Sequence, residues 1–342
     1  FDLRWVYWEP ETKLIDEKRS EYVQHVQADN LWIAAVKQNR KQFDPPVAFS
    51  QLGSLHLIER GANLFPLLIS KLGKQAALFP QDRDGPILNM SDKARSYIES
   101  LGNACRDADL FYHVLAILHS PQYREDNAGG LRLNWPRIPL PRSWQRLEAS
   151  AGLGRQIASL LDVQRPVKGV TTGKINPELK TIGLITHVDG KQINDADDLA
   201  VTAGWGNPGR GGICMPAGGK AIQRDFTSEE RAALATASGE PAALGQTTFD
   251  VYLNANVYWK NIPQAVWEYT LGGYQVIKKW LSYREHKLLG RPLRADEARY
   301  VSEMSRRIAA ILLRQTALDQ NYYSTGVGAY AWPAEGEVRA KG

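Results

Sequence analysis

The sequence has 342 residues, of which 43 % are hydrophobic and 23 % charged, and a formal net charge of +5. That length buries a sizeable core in one large or two smaller domains. No apolar run approaches the ~20 residues needed to span a bilayer, and no secretory signal opens the chain. The two cysteines, Cys105 and Cys214, form no spaced motif, which argues against a disulfide framework or a zinc site and fits a reducing cytoplasm.

The chain opens at Phe1 inside FDLRWVYW, a run dense in large apolar side chains that reads as the cut edge of a longer polypeptide. FDLRWVYWEP and ETKLIDEKRSEYVQHV read as a short strand, a proline turn and a helix. LWIAAVKQ, VAFSQL, SLHLIERG and NLFPLLIS read as short apolar strands, interrupted at Phe43 to Pro46. SDKARSYIESL opens with Ser91, a side chain suited to capping a helix N-terminus. DADLFYHVLAILHS is an apolar helix with Leu110, Val114, Ile117 and Leu118 on one side, ended by Pro121. Pro136, Pro139 and Pro141 hold LRLNWPRIPLP extended. SWQRLEASAGLGRQIASLLD is a second helix, with Leu147, Ile157, Leu160 and Leu161 as core candidates.

From Gln164 the pattern changes. KTIGLITHVDGKQI reads as a hairpin with Asp189-Gly190 at its tip. Residues 201–247 hold nine glycines and read mainly as loop around the capped helix TSEERAALATA. TTFDVYLNANVYW returns to strand. Gly272-Gly273 then precedes an aromatic, basic run with Tyr274, Ile277, Trp280 and Leu281 at helical spacing, and such a pair lets the backbone turn sharply. Val301, Met304, Ile308, Ile311, Leu312 and Gln315 fall along one helical seam suited to a partner helix. From about Ser324 the chain is Gly- and Ala-rich and reads as frayed. This order predicts an α+β protein: a mixed, short-stranded β-sheet with packed helices and a helical C-terminal spacer. The expected divisions are an α/β part at 1–162, a β-rich part with glycine loops at 163–262, the helical spacer at 263–323 and a tail at 324–342.

The charge is unevenly placed. Residues 1–100 balance, with 13 basic and 13 acidic side chains, whereas 121–180 hold ten and five, and 255–314 eleven and five. Arg124, Arg132, Arg137, Arg142 and Arg146 fall on or near the proline-stiffened segment beside Trp135 and Trp144. Lys168, Lys174, Arg210, Lys220 and Arg224 lie on or near glycine-rich loops, and Lys278, Lys279 and Arg284 follow Gly273. Counterion release makes such segments natural phosphate contacts, and arginine forks also read guanine edges. The plainer alternative is a solvated cationic surface whose arginines pair with carboxylates or cover aromatics.

Motifs for catalysis are weak. Asp44-Pro45-Pro46-Val47 resembles the acid–Pro–Pro–aromatic loop that grips a flipped adenine, but carries Val47 where a ring should stack. The Gly204 to Gly209 segment, GWGNPG, fits GxGxxG, yet glycines and Pro216 follow instead of a helix. The six histidines, at 25, 56, 113, 119, 187 and 286, show no metal-ligand spacing. His119 closes a helix, where it reads as a capping or core residue. No GxSxG elbow, GxxxxGK loop or paired carboxylates stand out, so the chain reads as a binding module rather than a self-sufficient enzyme.

Longer motifs converge on a family. FDLRWVYWEPETKLIDEKRSEY, GSLHLIERGANLFPL, VLAILHSPQYR with LNWPRIPLP, TAGWG with GGICMPAGG, and VWEYTLGGYQVIKKWLSYRE resemble, from Phe1 to about Tyr323, the C-terminal specificity region of type ISP restriction–modification enzymes and related large N6-adenine DNA methyltransferases. The resemblance implies a target-recognition domain that follows a methyltransferase domain in the same polypeptide. That preceding domain would bind S-adenosylmethionine and hold the catalytic loops, with a nuclease and a helicase-like ATPase, hence ATP and Mg, further upstream. It also implies double-stranded DNA as partner, a cytoplasmic setting and a target adenine flipped into a pocket outside this chain. No catalytic, cofactor or metal residue is expected here. Base-reading residues vary with the target, so the family does not supply them. The expected DNA contacts, drawn from charge and loop placement, are Arg124, Arg132, Arg137, Arg142, Lys168, Lys174, Arg210, Lys220, Arg224, Lys278, Lys279 and Arg284. GGYQVIKKWLSYRE is a landmark shared across targets, which assigns Gly272, Gly273 and Trp280 to architecture. Two other readings stay open: a permuted S-adenosylmethionine-dependent methyltransferase using the Gly204–Gly209 loop with Asp44-Pro45-Pro46, and a protein-interaction domain facing an acidic partner.

Overall fold

Local signals start or stop several elements of the chain. A computed structural model describes residues 6–9, 12, 20–37, 43–54, 56–58, 61–70, 85–102, 108–194, 198–210 and 214–332. In its first part α1 (Ser20–Val23) precedes strands β1 (Trp32–Ala35), β2 (Val47–Phe49), β3 (Asn63–Pro66), β4 (Leu68–Ile69) and β5 (Ile87–Leu88). Helices α2 (Asp92–Ser100), α3 (Asp109–His119), α4 (Pro121–Asp126), α5 (Ala128–Leu131) and α6 (Trp144–Leu161) follow. Ser91 caps α2 by accepting from the Ala94 amide. Ser120 ends α3 and caps α4, whose first residue is Pro121, where a missing N–H costs nothing.

The second part runs through α7 (Pro177–Lys180), β6 (Leu184–His187), β7 (Gly206–Pro208), β8 (Cys214–Pro216), β9 (Ala221–Asp225) and α8 (Ser228–Leu234). It continues with β10 (Thr247–Tyr252), β11 (Val257–Pro263), α9 (Gln264–Trp267), β12 (Thr270–Leu271), β13 (Tyr274–Gln275), α10 (Val276–Ser282), α11 (His286–Leu289), α12 (Ala295–Leu312) and α13 (Gln315–Gly326). Thr227 and Glu230 form a reciprocal capping box on α8. Gly272 and Gly273 both have positive φ, 59° and 74°, and make the two-residue turn between β12 and β13 that only such residues close without strain.

The chain forms two compact units, one holding Ser159–Thr316 and the other Arg19–Ala158 with the chain's end from Ala317. In the latter, β2-β1-β3 form an antiparallel sheet. Beside it, Ile117, Leu118, Tyr123 and Leu131 make one buried cluster, and Tyr97, Ile98 and Leu147 another. Helices α3 and α6 approach so closely that a Cβ on Gly154 would sit 1.9 Å from the Tyr112 carbonyl oxygen. In the other unit the antiparallel order is β6-β11-β10-β9. Val251, Val257 and Trp259 are fully buried on one face of that sheet, and the Trp259 indole donates to the Ala298 carbonyl of α12 at 3.1 Å. Each such side chain contributes roughly 1.5–3 kcal/mol through burial.

The architecture is α+β with short strands, as predicted, and its sheets are several, small and antiparallel. Residues 163–262 and 263–316 lie in one unit. Several local expectations are corrected. The described residues of SLHLIERG form turns rather than a strand. Asp189-Gly190 does turn the chain, with the Gly190 amide on the His187 carbonyl at 2.9 Å, but residues 191–194 form no strand. β6 instead pairs with β11, His187 facing Val257. Outside its capped helix the glycine-rich stretch is largely loop, as expected, but it also contributes the short strands β7, β8 and β9. The C-terminal seam is broken between α12 and α13, so Gln315 begins a new helix. Nor is the tail frayed over its described residues: Arg146 donates to the Ser324 and Val327 carbonyls and the Tyr330 amide to Leu140. Phe1–Trp5, most of the helix expected before Tyr22, Cys105 and residues 333–342 lie outside the described residues.

Candidate nucleic-acid interface

Two of the expected DNA contacts, Lys220 and Arg224, meet on one face of the four-stranded sheet. Lys220 sits with its ammonium 3.9 Å from the Tyr252 ring centroid, and Tyr252 stacks on Tyr258 at 5.0 Å and 21°. Arg224 has a different role from the one its charge suggested. Its Nε and Nη2 donate to Asp250, Nη1 and Nη2 to Glu230, and Nη1 also to the Asp225 carbonyl. All five N–H groups are therefore engaged, and none is left for a phosphate. Burial works to raise the Glu230 carboxyl, and the Arg224 guanidinium outweighs it, holding the group below its ordinary range.

Lys278, Lys279 and Arg284 share the segment of α10. Lys279 lies 4.8 Å from the Tyr274 ring centroid and 4.7 Å from that of Tyr283. Arg284 covers Trp280 at 3.8 Å, and Trp280 stacks on Tyr300 at 5.7 Å. This ladder of cations on rings fixes the helix in place, with Ile277, Trp280 and Leu281 buried beneath it. Lys278 is half-buried, and Arg210 is exposed just beyond β7. Lys168 and Lys174 come together on a tight exposed loop, where the Val167 carbonyl accepts from the amides of Val170, Thr171 and Thr172.

The four remaining candidates belong to the other unit. Arg132, Arg137 and Arg142 are exposed and Arg124 is half-buried on α4. Tyr123 donates to the Arg137 carbonyl at 2.9 Å, fixing that point of the proline-rich path. Arg142 donates Nε to the Ala329 carbonyl at 2.9 Å and Arg124 its Nε to Ser120 at 3.3 Å. Part of this arginine series therefore anchors backbone.

The glycine loop that imitates a phosphate cradle is already filled. The Gly204 and Trp205 amides donate to the buried Glu285 carboxylate at 3.2 and 2.7 Å. With that carboxylate in place the loop does not fit the anionic or nucleoside group of a cofactor. Asp44, Pro45 and Pro46 are buried, and the Pro46 carbonyl accepts from His119 Nε2 at 2.9 Å. His119 is thus a neutral core residue, its pKa lowered to about 4 chiefly by burial. His113 is similar: Nε2 donates to the Pro139 carbonyl at 2.9 Å, and Nδ1 accepts from the Ser150 hydroxyl at 2.7 Å. Burial also lowers its pKa to about 4. Among the described residues no group of three or more His, Cys, Asp or Glu side chains is placed to hold a metal, and no helix is long and apolar enough to cross a membrane.

Sequence reasoning missed Tyr252, Tyr258 and Lys260 beside Lys220, and Glu285 beneath Gly204. The alternation within TTFDVYLNANVYWK held part of the signal, because it puts Tyr258 and Lys260 on one face of β11, and the pairing of β10 with β11 then brings Tyr252 opposite Tyr258. Nothing local pairs Glu285 with a loop 80 residues earlier.

Together the features define an α+β protein with cations laid against aromatic rings on its surface. The chain belongs to the type ISP C-terminal specificity domain family, whose description matches residues 1–310. Among solved structures, the DrdV–DNA complex determined by cryo-EM is 18 % identical, with a TM-score of 0.51 over 86 % of this chain and 25 % of that one, and supports the fold. A nuclease-deletion mutant of the type ISP restriction–modification enzyme LlaGI in complex with a DNA substrate mimic is 15 % identical, with a TM-score of 0.45 over 86 % of this chain and 21 % of that one. The ATP-dependent type ISP enzyme LlaBIII bound to DNA is 16 % identical, with a TM-score of 0.49 over 86 % and 16 %. The chain therefore spans a quarter or less of these relatives. No curated protein matches it.

Proposed function

We propose that this chain is a sequence-specific double-stranded DNA recognition module of a larger restriction–modification enzyme or N6-adenine DNA methyltransferase, acting in the cytoplasm. The family match over residues 1–310 carries this reading. Basic side chains fix register on phosphates while other residues read base edges. Methylation, and cleavage where the parent enzyme cuts, belong to domains outside this sequence: an N-terminal methyltransferase that binds S-adenosylmethionine, with ATP and Mg used further upstream. Lys168, Lys174, Arg132, Arg137, Arg210, Lys220 and Lys278 are the phosphate candidates. Arg224 is assigned to architecture, and Lys279 and Arg284 to holding α10, with phosphate contact as a second role.

The test is the salt dependence of duplex binding by the full chain. Four phosphate contacts lower the affinity about a hundredfold between 50 and 200 mM salt. A flat response would favour a protein partner. Calorimetry with S-adenosylmethionine addresses the methyltransferase alternative, and micromolar binding by this chain alone would overturn the assignment of that cofactor elsewhere. The Glu285-filled loop argues against it.

A further inference from the structure

The outward face of the β6-β11-β10-β9 sheet carries more than its own packing requires. Register places Tyr252 opposite Tyr258, and Tyr258 opposite Thr186. The Tyr252 amide donates to the Lys220 carbonyl at 2.9 Å, so Lys220, Tyr252, Tyr258 and Thr186 form one row across the strands. The next row pairs Ile222 with Asp250, and Lys260 with Leu184. Side chains alternate along a strand, so both rows face away from buried Val251, Val257 and Trp259. Leu184 and Ile222 are 41 % and 44 % exposed, and Val188, just beyond β6, is 47 % exposed. Single exposed aliphatics are ordinary; these lie on or just beyond the two edge strands and border the stacked tyrosine pair from either side of the face.

Charge selects the kind of partner. Arg224 pairs with both Glu230 and Asp250, one positive charge against two negative, and Lys260 also acts on Glu230. With Lys220 and Lys260 counted, three cations face two carboxylates and the face keeps a net positive charge of one. Neither tyrosine hydroxyl has a hydrogen bond among the described residues. Strand spacing makes Lys220 to Tyr258 about 10 Å across, within the ~12 Å width of a DNA major groove. The ammonium is already held over the Tyr252 ring, so less side-chain freedom is lost on binding.

We propose that the Lys220–Tyr252–Tyr258 row, with Ile222 beside it, contacts duplex DNA directly, a role that rests on the recognition reading above. Lys220 meets a phosphate, the Tyr258 hydroxyl meets a base edge, and Ile222 provides an apolar contact of the kind that thymine methyls accept. The full chain is used to select duplexes from a randomised library. Lys220→Ala and Tyr258→Phe are then compared with it on a selected duplex and on a scrambled one, thermal melts verifying equal folding. Lys220→Ala is expected to weaken both duplexes alike and lower the salt slope by about one. Tyr258→Phe is expected to reduce the preference for the selected duplex about fivefold or more at unchanged slope. If the parent chain selects a site and both variants match it, this face does not meet DNA and fits a protein partner instead. An effect of Lys220→Ala alone would remove the base contact from the proposal. A chain that selects no duplex at all would overturn the recognition reading, and this inference with it.

Discussion

At Arg224 five N–H groups meet two carboxylates and a carbonyl, with the Glu230 side chain only 4 % exposed. A buried carboxylate that loses its cation keeps its desolvation cost, so Arg224→Met should lower stability by roughly 3 kcal/mol in denaturant titrations. If Arg224 is architectural, the variant protein that remains folded should bind DNA with an unchanged salt slope. Lys220, four residues away, should behave in the opposite manner, because its ammonium touches only a ring. Two cations of one strand segment thus differ in role for a reason no charge count contains: one faces Glu230 and Asp250, the other faces Tyr252. Glu285 makes the same point with the sign reversed. Its carboxylate occupies amides that the GxGxxG spacing alone would offer to a ligand.

At the scale of elements, caps and turns follow short-range chemistry and were legible: Ser91 at α2, Thr227 and Glu230 at α8, and Gly272-Gly273 between β12 and β13. Strand partners were not. Asp189-Gly190 makes a good turn, yet β6 finds β11 some 70 residues on, because pairing depends on which strand can share a buried face with Trp259. Helix contacts were likewise invisible until packed. Nothing in GLGRQ marks Gly154 as the point where α6 meets α3, though a Cβ there would lie 1.9 Å from the Tyr112 oxygen. Gly154→Ala should therefore cost about 2–3 kcal/mol through forced helix separation, despite the higher helix propensity of alanine. A thermal melt checks this, and a stabilised variant would show that the two helices can part freely.

At the scale of the whole molecule, acid sensitivity follows from two buried histidines. His113 and His119 have pKa values of about 4 in the folded chain against an ordinary 6.5. Between those values the unfolded chain binds protons that the folded chain refuses. The stability they confer is fully present above pH 6.5 and is lost as pH falls towards 4, on the order of 1 kcal/mol per pH unit for each histidine. Denaturant titrations from pH 7 to 4.5 should show that slope, and His119→Gln should flatten part of it. By itself the sequence determined the α+β class, the cap and turn positions, the core faces of α6 and α12 and the family resemblance, since each rests on neighbours in the chain or on order along it. Only tertiary structure decided which cations are engaged, which loop is filled and which strands share a face. Those outcomes depend on groups tens of residues apart competing for the same hydrogen bonds and the same buried surface.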